Sequence, residues 1–119
     1  MNFSLRRLAV GILATGAFAV AAPSFARAEV TDANVAEKVA TAKTAVDHTE
    51  IAAYYTQLAA EAGAKVKLHE QMREHVKSVG KPSASWTTHC NSLIAAYKST
   101  EKEAAALAKA EEALAKSAK

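Results

Sequence analysis

Few side chains in this sequence are suited to chemistry, and most of them cluster. It holds four His and one Cys, and Met72 is the one Met after Met1. His69, Met72 and His75 stand at i, i+3 and i+6, and His89-Cys90 follows fourteen residues after His75. Thiolate and thioether ligands select Cu(I), and imidazole suits copper and zinc. If a hairpin turn brings the two groups together, His69, Met72 and Cys90 converge, and His75 or His89 closes the site from its edge. Copper is the metal this donor set selects. His48 stays outside, because 21 helical residues put it roughly 31 Å from His69.

An ordinary helical core accounts for the same residues. Met is a gap-filler at core positions, a buried Cys behaves as a small hydrophobe, and exposed histidines on a helix need no ligand. No CxxC pair and no familiar zinc spacing occurs. An odd Cys in an oxidising compartment either bridges two chains or stays free. Burial of Cys90 beneath Trp86 disfavours the bridge.

Catalysis finds little support, and we expect no enzyme. His89 and Cys90 are neighbours in sequence and point about 100° apart on a helix. Glu50 beside His48, and Glu70 or Glu74 near His69 and His75, fit solvated faces as well as acid–base pairs. Phosphate loops, dinucleotide fingerprints and haem-attachment motifs are absent. A two-helix hairpin offers no enclosed pocket for a small substrate.

The elements that must position these residues are helices. From Ala33 to Val79 there is no Pro and a single Gly, Gly63, and from Ala84 to Lys119 there is neither. Between them Gly80-Lys81-Pro82-Ser83 is a strong stop signal. Ile51, Tyr55, Leu58, Ala62, Lys65, His69, Met72, Val76 and Val79 recur at alternating steps of four and three. Trp86, Cys90, Leu93, Tyr97, Thr100, Ala104, Leu107, Glu111 and Leu114 do the same. That is the spacing of helices packed side by side, with Lys65, Thr100 and Glu111 as polar interruptions. The expected fold is all-α: a long antiparallel helical hairpin with a short N-terminal helix, self-associating into a bundle. The helices are expected over 34–45, 48–79 and 85–116, with a turn over 80–84.

Asp47-His48-Thr49-Glu50 and Asn34-Val35-Ala36-Glu37 have the spacing of capping boxes, and Ser83 or Ser85 suits the start of the last helix. Val35, Val39, Ala42 and Val46 run out of phase with the Ile51 row. This predicts a separate or kinked first helix, and a continuous helix over 33–79 is the alternative. Tyr54 and Tyr55 cannot both face one seam. One of them is expected to meet the N-terminal helix, a partner or water. In the hairpin Val79 should face Trp86, Val76 Cys90, Met72 Leu93, and His69 Tyr97.

Residues 1–28 read as a cleavable signal peptide and 29–119 as a single helical domain. Arg6-Arg7 gives a positive start, Leu8–Ala22 an apolar run, and Ala26-Arg27-Ala28 a small-x-small cleavage pattern before Glu29. The run is short for a membrane span, which needs roughly 20 apolar residues, so no stable anchor is expected after cleavage. Both the general secretory and the twin-arginine routes are compatible with it. The whole chain has 15 Lys plus Arg and 12 Asp plus Glu, and losing Arg6, Arg7 and Arg27 leaves 12 of each. The basic character therefore departs with the signal, and nucleic-acid binding is not expected.

The stretch His48-Thr49-Glu50-Ile51-Ala52-Ala53-Tyr54-Tyr55, with His69-Glu70-Gln71-Met72, His89-Cys90 and Tyr97, resembles a loosely defined group of small, exported, Ala-rich helical-hairpin bacterial proteins of uncharacterised function. The resemblance implies a periplasmic or secreted helical protein and carries no activity. Two functions are expected to compete. One is binding of copper at the hairpin tip. The other is a structural or stress-related role in which the helices engage another helix or a second copy, with no metal and no catalysis.

Overall fold

The computed structural model describes residues 28–80 and 84–118. The expected signal peptide and most of the turn lie outside them. The described residues form α1 (Val35–Thr41), α2 (Ala45–Ser78) and α3 (Ala84–Ser117). The two long helices, about 51 Å each at 1.5 Å per residue, pack against one another, and α1 packs on α2. The helical hairpin with a short N-terminal helix is thus present. No described helix is long and apolar enough to cross a membrane.

Local chemistry explains where the helices begin, and it moves two expected boundaries. α2 starts at Ala45 rather than at 48 because Thr44 is its cap. The Thr44 hydroxyl accepts the Asp47 N–H at 3.2 Å, while Asp47 Oδ2 accepts the Thr44 N–H at 2.8 Å. Asp47 is therefore the third helical residue of a reciprocal box, not the cap. α1 ends at Thr41 rather than 45, because Ala42 turns extended at φ −58° and ψ 130°. That break rules out a continuous helix over 33–79. Asn34 makes no side-chain cap. Its Oδ1 instead accepts the Thr31 N–H at 2.8 Å, and its amide donates to the Glu29 carbonyl at 2.9 Å. α3 begins at Ala84, so Ser85 lies inside the helix. At the other end of α2, Gly80 sits at φ +64°. Its N–H donates to the Lys77 carbonyl at 3.3 Å, and Val79 donates to the His75 carbonyl at 3.1 Å. A left-handed residue just past a helix favours Gly.

The seam between α2 and α3 is narrow, and half of its buried residues are alanine. Among the described residues the buried apolar set is Val30, Ile51, Ala52, Ala62, Val66, Cys90, Ile94, Ala104 and Ala108. Small side chains let two backbones approach closely. The register follows from cross-helix pairs. His69 stacks on Tyr97 with ring centroids 5.6 Å apart, Arg73 donates to Asn91 Oδ1 at 2.9 Å, and Lys98 Nζ lies 3.3 Å from Glu70 Oε1.

The expected seam row is half right on α3. Cys90, Tyr97, Ala104 and Glu111 face α2 as anticipated. Trp86, Leu93, Leu107 and Leu114 do not: they are 52%, 39%, 45% and 46% exposed, and Thr100 is exposed with them. Their places are taken by Ile94 and Ala108, which are buried, and by Ala115, half-buried. On α2, Ile51 and Ala62 are buried, Val66 replaces the exposed Lys65, and Val79 lies exposed at the tip. The pairing of Val79 with Trp86 is therefore not a core contact. The remaining interruption, Glu111, has a seam partner: its Oε2 lies 2.7 Å from His48 Nδ1, with both side chains largely covered.

Candidate functional site: the hairpin tip and the open helix face

The five tip residues occupy different environments. Cys90 is a free thiol buried in the seam, 2% exposed. His69 is half-buried on the seam, its ring nearly parallel to Tyr97 at 9° and its Nδ1 enclosed without a hydrogen-bond partner. Met72 is half-buried, and His75 and His89 are both exposed. Because His69 is level with Tyr97, Cys90 lies seven residues toward the tip, or about 10 Å along the axis. The structure thus aligns His69 with Tyr97 as expected, and it sets Cys90 two turns away. Among the described residues no group of three or more His, Cys, Asp or Glu side chains is placed to hold a metal ion.

A second candidate lies along the hairpin, beside the seam. Trp86, Leu93, Thr100, Leu107 and Leu114 are seven residues apart, so they form one row along α3, on a shoulder of the seam rather than in it. Ile51, Leu58, Lys65, Met72 and Val79 form the matching row on α2, covered at its Ile51 end and open toward the tip. The two rows share one side of the hairpin, since Leu58 lines a groove with Thr100 and Leu107. The opposite side is polar toward the tip, with Arg73 bonded to Asn91 and Lys98 to Glu70, and toward the open end Ala52, Ala53, Ala60 and Ala115 line a groove there. Of the exposed outer positions flanking the α3 row, Ser92, Ala96, Ser99, Ala106 and Ala110 are small, and His89 and Glu103 are the larger exceptions. Large side chains between small ones allow a further helix to approach. The sequence signal for this face was the seven-residue recurrence of the largest α3 side chains.

Residues 29–33 of the N-terminal segment line a groove on α2 with Tyr54 and Leu58. The Tyr54 hydroxyl donates to Asp32 Oδ1 at 2.7 Å, and Val30 is buried. Tyr54 therefore meets the N-terminal segment while half-buried Tyr55 continues the seam row. Their rings meet edge-on at 5.1 Å. The hydrogen bond to Asp32, then burial and the Asp32 charge, push the Tyr54 phenol up to about 12. A folded-state value raised above the ordinary one near 10 favours the folded state fully below pH 10, and this contribution disappears as pH climbs through 12. Tyr54→Phe is expected to melt at lower temperature than the parent at pH 8, with the gap closing by pH 12. A gap constant from pH 8 to 12 would contradict the hydrogen bond's role.

Comparison with protein families, with curated proteins and with solved structures finds no match to this chain.

Proposed function

We propose that this is a small extracytoplasmic protein that works by helix-on-helix docking through the exposed apolar face, with no catalytic step. One observation carries the reading. Four large apolar side chains of α3 stand in a single exposed row, beside Leu58, Met72 and Val79 of α2. Exposed apolar residues scattered singly are ordinary, but a contiguous patch marks an interaction site. Ridges of this kind are read by another helix at i, i+3, i+4 and i+7. Placement outside the cytoplasm rests on the signal-like segment 1–28, and the likeness to small exported hairpin proteins agrees with it.

Copper binding remains as a second reading, supported by the enclosed, unpartnered Nδ1 of His69 beside Met72. The two-turn offset of Cys90 weighs against a three-ligand site.

The face is tested by placing a photo-crosslinking residue at Ala96, on the apolar side, or at Ala105, on the polar side, of the protein expressed with its natural export. Adducts are expected from position 96 only. They should vanish with Leu93→Glu/Leu107→Glu and persist under a copper chelator. Adducts formed equally from both positions would defeat the docking reading, and adducts lost to the chelator would favour copper.

A further inference from the structure

Building on that docking reading, we infer that the partner is a second copy of this chain, packed face to face with the hairpin tips at the same end. The register arranges the exposed face as a ladder. Val79 is level with Trp86, Met72 with Leu93, Lys65 with Thr100, and Leu58 with Leu107, while the next level, Ile51 with Leu114, is closed on the α2 side because Ile51 is already covered, and the N-terminal segment borders Leu58. Three rungs are apolar, and one, Lys65 with Thr100, is polar. A two-fold axis running along the hairpin lays α2 of one copy over α3 of the other, and each rung meets itself. Apolar rungs then cover apolar rungs, and Lys65 lies over the partner's Thr100, one turn from the partner's Glu103. Lys65 and Glu103 are both exposed on the isolated chain. Every neighbouring pair of helices in the resulting four-helix bundle is antiparallel, the usual arrangement for such bundles.

The other two-fold arrangement, with the axis across the helices, stacks α2 on α2. It sets Lys65 against its own copy when the polar rungs coincide, and like charges placed in an interface are costly. A slide by one heptad buries Lys65 against an apolar rung. Charge thus selects the tips-together form. Two further facts favour a copy over an unrelated partner. Residues 29–119 carry no net charge to repel a second copy. The seam of one hairpin is also thin: four of its eight buried residues are alanine. Small domains with so little core commonly complete it by association.

The test is sedimentation of protein recovered from cells after natural processing, its N terminus read from the intact mass. The parent is expected at twice the chain mass. Lys65→Glu alone places two Glu–Glu contacts in the dimer, and Glu103→Lys alone places two Lys–Lys contacts. Each should weaken association roughly tenfold. An equimolar mixture of the two restores both opposite-charge contacts, so it should return to parental affinity as a mixed dimer, visible by isotope-labelling one variant. A monomeric parent at tens of micromolar overturns the second copy. Face-specific adducts of any mass but twice the chain would do the same while leaving the docking reading intact. A parental dimer whose charge variants behave like it, alone and mixed, overturns the tips-together geometry. A dimer that survives Leu93→Glu/Leu107→Glu fails the docking reading itself.

Discussion

Ile51→Ala is expected to cost about 2–5 kcal/mol and to lower the cooperativity of unfolding. Ile51 is 1% exposed and, with Cys90, is one of the two most completely covered side chains among the described residues. It sits on α2 two turns after the Thr44 cap, at the end where the N-terminal segment also buries Val30. The rest of the seam offers little that can collapse into the space, because alanines have no further atoms to move. The loss should therefore fall at the upper part of the range. It is a large share of the total for a domain of this size, where net stability is of order 0.05–0.15 kcal/mol per residue. Chemical denaturation followed by far-ultraviolet circular dichroism checks it. A loss below about 1 kcal/mol would mean that Ile51 is not part of the cooperative core.

Ala104→Leu is expected to destabilise for the opposite reason. Ala104 is 3% exposed and, by the His69–Tyr97 register, lies across from Ala62, which is 4% exposed. Two alanines meeting across a seam hold the helices at close range. Three additional carbons must push them apart or rotate one of them, which costs about 1–3 kcal/mol. Leu has nearly the same helix propensity as Ala, so the change isolates packing. The informative control is Ala95→Leu, nine residues earlier and exposed away from the apolar face, where the same substitution should move stability by less than about 0.5 kcal/mol. Equal effects at both positions would contradict the narrow seam.

The fates of Leu93 and Ile94 show what the sequence could reveal. Gly80 and Pro82 divided the chain correctly, and helical spacing identified both long elements and their antiparallel pairing. The stacking of His69 on Tyr97 and the burial of Cys90 followed from counting residues back from the turn. The phase of α3 is not legible in the sequence, because its largest apolar side chains recur with a helical period of their own. Trp86, Leu93, Leu107 and Leu114 make a regular row, but a close-packed alanine seam has no room for them. Ile94 and Ala108, one residue further on, fit instead. Lys65 and Thr100 looked like flaws in the seam for the same reason, and on the shoulder they are not. Glu111 was a true seam member whose partner, His48, had been set aside as too distant from the tip. At the start of α2 two overlapping capping patterns compete, and Thr44 and Asp47 prevail through their reciprocal hydrogen bonds. At the tip the donors face different environments, which donor type alone does not reveal.

The enclosure of Cys90 has one further consequence. A thiol that solvent cannot reach reacts with an alkylating reagent only while its surroundings are parted. With a single thiol in the chain, the labelling rate at excess reagent reads the frequency or population of one local opening, near the closed end of the hairpin. The native chain thus contains its own clock for breathing motions, with no engineered reporter.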